Sequence, residues 1–120
     1  MAELKTYRLT LNNRAFDAIR RGDKRVEIRV KVQGDAFEYG DLCPEDGICF
    51  TSFKGEVMTC RVVKVHHYPT VEELLREVGT KYTLSFMDDF LEGVKSIHSF
   101  PGYPEGIEKY GVWAIHIAPV

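Results

Sequence analysis

The apolar residues change their spacing at Gly22, and this change constrains the first third of the chain more than any other feature. Before it, Ala15, Phe16 and Ile19 recur at helical spacing, with Asn12 or Asn13 placed to cap the start and Arg20 and Arg21 in the last turn, where cations complement the helix dipole. After it, over residues 24–32, Val26, Ile28, Val30 and Val32 alternate with Arg25, Glu27, Arg29 and Lys31, which is the period of a strand. Glycine tolerates the left-handed backbone that commonly stops a helix, so Gly22 is read as the joint between the two elements.

The same test places the remaining elements. Tyr7, Leu9 and Leu11 alternate with Arg8 and Thr10, which predicts a strand over 5–11. Gln33-Gly34-Asp35 begins a loop, and Gly40-Asp41 turns toward a strand over 48–53. Lys54-Gly55 closes a hairpin into a long strand over 56–67. There Met58, Cys60 and Val62 share one phase and Val63 and Val65 the other, so a bulge near Val62 is expected. Thr70-Val71-Glu72-Glu73 is a capping box, followed by Val71, Leu74, Leu75 and Val78 at helical spacing before Gly79. A further helix is expected over 85–92, burying Met87, Phe90 and Leu91 and ending near Gly93. A helical turn over 107–110 and a closing strand over 112–117, with Trp113, Ile115 and Ile117 inward, complete the chain. The order β-α-β-β-β-α-α-β lacks the alternation of a doubly wound sheet, so the expected class is α+β: a mixed sheet or small barrel with peripheral helices.

No repeat or linker divides residues 1–120, and 120 residues with 44% hydrophobic content suit a single domain. Cys43, Cys49 and Cys60 have no Cys-x-x-Cys spacing and read as small core residues of a reducing compartment. The Met-Ala-Glu-Leu-Lys start lacks an apolar signal region and no apolar run is long enough for a membrane span. A soluble, cytoplasmic protein without membrane contact is therefore expected. Net charge is −2, yet residues 1–31 hold nine Lys and Arg against four acidic residues, leaving room for a local anion-binding face.

The chemistry concentrates in Gly22-Asp23-Lys24-Arg25-Val26-Glu27-Ile28-Arg29. Arg29 offers a planar fork for phosphate or a base edge, and Lys24 a mobile point charge. Glu27 can hold either cation, accept from a base amino group or move a proton. Regular strand phase places Glu27 and Arg29 on one face and Lys24 on the other, so convergence requires irregular backbone at Lys24-Arg25. Phe100-Pro101-Gly102-Tyr103 could supply a stacking ring, with Tyr103 the candidate. His66, His67, His98 and His116 lack metal-ligand spacing, and no cofactor motif is present. Thr51, Ser52, Thr59 and Ser99 are possible nucleophiles with no signature tying them to a base.

Taken in order, the helix with Phe16, Ile19 and Gly22, the Gly22-x-Lys24-x-x-Glu27-x-Arg29 signature, Gly40-Asp41 before Ile48 to Phe50, the Val62 to Tyr68 strand with Thr70 to Leu75, and Tyr110-Gly111-Val112-Trp113-Ala114-Ile115 resemble the ASCH domain family of the PUA-like group. The resemblance implies a small PUA-like mixed β-barrel with peripheral helices and a cleft lined by Lys24, Glu27 and Arg29. It also implies RNA or nucleotide binding. Some small members look like hydrolases of acylated pyrimidine nucleosides, with a lysine matching Lys24. Glu27 stands where those carry threonine, so a threonine-nucleophile mechanism does not transfer; Glu92 and Glu105 are candidates for their acidic partner.

The leading expectation is an RNA- or nucleotide-binding module in which Lys24 and Arg29 contact phosphate or base, Glu27 orients them, and Arg21 and Arg25 extend the footprint, with binding that weakens steeply in salt. The alternative is a small hydrolase acting on a modified pyrimidine nucleoside or RNA, with Lys24 and Glu27 catalytic. Two neighbouring cations favour the charged carboxylate, which points to binding rather than base catalysis. A third is a protein-interaction, coactivator-like module using acidic helices with Glu72, Glu73, Glu77, Asp88 and Asp89, so a protein partner is also possible. Oligomeric state is not specified by the sequence.

Overall fold

The computed structural model describes residues 3–84 and 89–120. Strand β1 (Thr6–Leu11) leads into helix α1 (Asn13–Arg21), β2 (Val26–Arg29), a 3-10 turn (Tyr39–Asp41), and the hairpin β3 (Gly47–Ser52) and β4 (Val57–Tyr68). Helices α2 (Val71–Val78), α3 (Phe90–His98) and α4 (Tyr103–Tyr110) follow before β5 (Val112–Pro119). The strands form one sheet in the order β1-β3-β4-β5-β2, with β1 parallel to β3 and the other pairs antiparallel. The result is an α+β fold whose sheet curls into a half-barrel, leaving β1 and β2 as its edges.

Local signals set α1. The Asn12 side chain accepts from the Ala15 N–H at 2.8 Å, and Gly22 closes the helix at φ 86°. Asn12 is thus the cap and Asn13 the first helical residue. The expected bulge is present: the β4–β5 register shifts between Val62 and Lys64, so Val63 turns outward while Val65 returns to the core that holds Val62.

Apolar clusters lie on both sides of the sheet. On one, Phe16 and Ile19 of α1 pack with Ile48, Phe50, Val62 and Ile115. On the other, Leu74, Leu75, Ile97 and Ile107 of the later helices pack with Val26, Val30, Val112 and Ala114. Strand β5 sits between β4 and β2 and contributes to both clusters, so Val112 and Ala114 are as buried as Ile115, whereas Trp113 is only half-buried.

Helix α3 departs from the sequence reading. Residues 85–88, including Met87, lie outside the described residues. The helix starts at Phe90, capped by Asp89, whose side chain accepts from the Glu92 N–H at 2.9 Å, and it runs through Gly93. A Cβ at Gly93 would lie 2.6 Å from Leu84 Cδ1, so close packing, not helix termination, explains this glycine. Leu91, expected in the core, is 74% exposed. Helix α4 is longer than the expected single turn. Its Gly106 rests against β2's exit, where a Cβ would meet the Lys31 carbonyl oxygen at 2.4 Å. Among the cysteines only Cys60 is buried, its thiol pushed up to about 12 by burial; Cys43 is exposed. No described helix is long and apolar enough to cross a membrane.

Candidate functional site

Glu27 and Arg29 alternate with the core residues Val26 and Val30, so edge strand β2 presents them away from the α2–α4 cluster. They enter a cavity of about 660 Å3 bounded by the end of β1, the first turn of α1, the β3–β4 turn, and the segments around Thr83 and from Ser96 to Tyr103. Lys24 joins them because strand pairing begins only at Val26. The Asp23 and Lys24 N–H groups both donate to the Ala18 carbonyl (2.9 and 3.1 Å), and those of Arg25 and Val26 both donate to that of Tyr82 (2.7 and 3.0 Å). This irregular backbone releases Lys24 from strand alternation.

The three side chains then interlock. Lys24 Nζ lies 3.5 Å from Glu27 Oε1 and donates to the Thr83 carbonyl. Glu27 Oε2 accepts from Arg29 Nε at 2.9 Å, and Arg29 Nη2 donates to the Thr10 carbonyl at 2.7 Å. Arg29 therefore bridges the two edge strands of the half-barrel. Each carboxylate oxygen faces one cation, and two cations against one carboxylate leave one surplus positive charge. Lys24 and Glu27 are only 5% and 6% exposed, so this charge is poorly screened by water.

The family model described as "ASCH domain" matches residues 9–120. The chain belongs to the ASCH domain family. Among solved structures, the hypothetical protein PH0355 is 27% identical over 96% of this chain and 99% of its own, with a TM-score of 0.79. Protein PF0455 from Pyrococcus furiosus is 23% identical over 96% and 97%, with a TM-score of 0.69. An ASCH domain from Lactobacillus crispatus is 16% identical over 96% and 79%, with a TM-score of 0.58. No curated protein matches the chain.

Burial shapes the electrostatics of this ASCH domain's cleft. It lowers the Lys24 pKa, an effect that the Glu27 carboxylate only partly offsets. Burial also acts to lower that of Arg29, but the net direction is upward, and the Glu27 carboxylate beside it holds the guanidinium firmly charged. Tyr39 and Tyr103 are raised by burial against the opposing pull of Arg29, which keeps their hydroxyls protonated.

Of the other expected site residues, Tyr103 lines the ASCH cleft with its ring centroid 5.2 Å from that of Phe100. Arg21 and Arg25 do not line it. Arg21 Nε donates to Asp23 Oδ2 at 2.9 Å on the exposed end of α1, and the Arg25 guanidinium lies 4.2 Å from the centre of the Tyr82 ring. Thr51, Ser52, Thr59, Ser99, Glu92 and Glu105 are also absent from the cavity wall, and no described group of three His, Cys, Asp or Glu could hold a metal. Several residues of the cleft carry no site signal in the sequence, among them Thr83, Asn13 and Phe53. Thr83 lies 59 positions from Lys24 and carries no local signature. Asn13 reads as a capping alternative, yet its Oδ1 is buried without a hydrogen-bond partner among the described residues. Phe53 reads as the end of a strand but is 71% exposed on the cavity wall.

Proposed function

We propose that this ASCH domain is an RNA- or nucleotide-binding module. Lys24 and Arg29 hold an anionic or carbonyl oxygen of the ligand, Glu27 fixes both cations, and Tyr103 supplies a ring beside them. One observation carries the reading: a buried triad with a surplus positive charge on the wall of a cavity large enough for a nucleotide. With Glu27 bound on both oxygens, the triad's remaining hydrogen-bonding capacity lies mainly in its N–H donors, which suits phosphate or oxo groups. Arg21 and Arg25 lie outside the cleft, so few phosphates are neutralised and the salt dependence is shallow rather than steep.

Equilibrium binding of nucleoside monophosphates and short RNAs by wild type, Lys24→Met and Arg29→Lys tests this. Loss of at least about tenfold in affinity is expected for Lys24→Met, and a smaller loss for Arg29→Lys, which keeps the charge but not the fork. Equal affinity in all three proteins sinks the reading.

A hydrolytic reading is second, and the lowered pKa of Lys24 favours it. The amine, rather than the doubly engaged Glu27, would take a proton from a water attacking an amide or phosphodiester and return it to the amine or alkoxide that departs as the C–N or P–O bond breaks. Turnover of an acylated nucleoside or short RNA that disappears in Lys24→Met would establish it.

A further inference from the structure

We propose that Phe53 and Phe100 form a stacking rim, and that the ligand of this cleft is a short single-stranded oligonucleotide rather than a free mononucleotide. This rests on the binding reading above and names the substrate class within it.

Phe53 sits in the turn between β3 and β4, where the backbone is held without it. Ser52 Oγ accepts from the Lys54 and Glu56 N–H groups at 3.2 and 3.1 Å, and Gly55 takes the positive φ of 89°. Its ring belongs to neither apolar cluster and is 71% exposed. Phe100, from the connection between α3 and α4, is likewise outside both clusters and 43% exposed, with Tyr103 braced against it. Two large apolar rings from distant segments are thus kept in water on the wall of one cavity, the same cavity that holds the charged triad. Exposed aromatics beside a cationic groove are how single strands are held: each base presents a π-face while the groove takes the backbone.

Charge bookkeeping agrees with a short strand. Arg20 is engaged by Asp17 and Glu56, and Arg21 by Asp23, so these neighbouring cations are already matched by carboxylates. The triad's surplus charge suits one phosphate. The corresponding salt slope, d log K/d log[salt], is about −0.7. Stacking must then supply affinity that phosphate contacts do not, and a mononucleotide has one base for two rings.

Calorimetric titration of the full chain with each of the four nucleoside 5′-monophosphates and the matching tetraribonucleotides tests this, with tetradeoxyribonucleotides as a parallel arm. At least one tetranucleotide is expected to bind about tenfold or more tightly than its mononucleotide. Phe53→Ala and Phe100→Ala should each lower tetranucleotide affinity by more than they lower mononucleotide affinity, removing most of that increment, and Phe53→Trp should retain it. Retention of the increment in the ribose series alone identifies RNA, and in both series single strands generally; either supports the proposal. Tetranucleotides no tighter than mononucleotides overturn it and leave the binding reading intact, as does equal loss for both ligand lengths in the alanine variants. No binding by any mononucleotide or tetranucleotide overturns both. Phe53 lies on an exposed turn, so its alanine variant keeps the fold, which circular dichroism verifies.

Discussion

Arginines and lysines of the same short stretch of chain meet opposite fates in this molecule. Arg20, Arg21 and Arg25 lie at the surface, paired with Asp17, Glu56 and Asp23 or laid over Tyr82. Lys24 and Arg29 turn inward onto a single carboxylate. At the surface Arg20 faces two carboxylates and Arg21 one, all screened by water, while the inner group has an excess cation in a poorly solvated wall. Number of charges therefore says little about where an anion binds. Solvent access and the ratio of cations to carboxylates decide it.

The strongest way to break this contrast is to remove the carboxylate. Glu27→Ala leaves two buried cations without a counter-charge and is expected to cost about 3–5 kcal/mol by urea denaturation. A loss below about 1 kcal/mol would mean that the triad is solvated like the surface pairs. Gly106→Ala acts on the wall instead of the charge. The added Cβ meets backbone at Lys31, so α4 must move away from β2, at an expected cost of about 1–3 kcal/mol, carrying Tyr103 away from Arg29. Unchanged stability and binding would show that α4 can shift freely.

Lys24→Met gives a smaller stability effect and a distinctive pH signature. The variant loses the hydrogen bond to Thr83 but also the cost of burying an ammonium, so the net change at neutral pH is expected to stay within about 1.5 kcal/mol. Burial depresses the folded-state pKa below the ordinary 10.5, so the unfolded chain binds this proton more tightly. Wild-type stability should therefore rise relative to Lys24→Met as pH increases from the depressed value toward 10.5, and fall back as pH drops through that window. Parallel stability curves for the two proteins would count against the desolvated lysine. The smallest effects belong to Arg21→Gln and Arg25→Gln, expected within about 0.5 kcal/mol in stability and about twofold in ligand affinity. A tenfold loss of affinity in either would return the footprint to the surface.

Elements whose rules are local were legible in the sequence. The cap and stop of α1, the Thr70 side chain that caps α2 by accepting from the Glu73 N–H, and the bulge after Val62 each depend on residues a few positions apart, and each is present. Gly93 misled because a glycine that ends a helix and one that admits a neighbouring Leu84 look alike in sequence. Leu91 follows helical spacing as well as any core residue, but it lies on an exposed face of α3. Lys24 was legible as a candidate and ambiguous in direction, since the Tyr82 carbonyl that delays strand pairing comes from far along the chain.

The sequence by itself determined the order of elements, the helix-to-strand joint at Gly22, and the stretch from Gly22 to Arg29 that holds Lys24, Glu27 and Arg29 close together. Only the tertiary structure decided which cations enter the cleft, that Arg29 ties β2 to β1 through Thr10, and that Phe53 and Phe100 meet the same cavity. The reason is physical: capping, turn formation and periodicity act over a few residues, whereas desolvation and charge balance depend on everything that packs around a group.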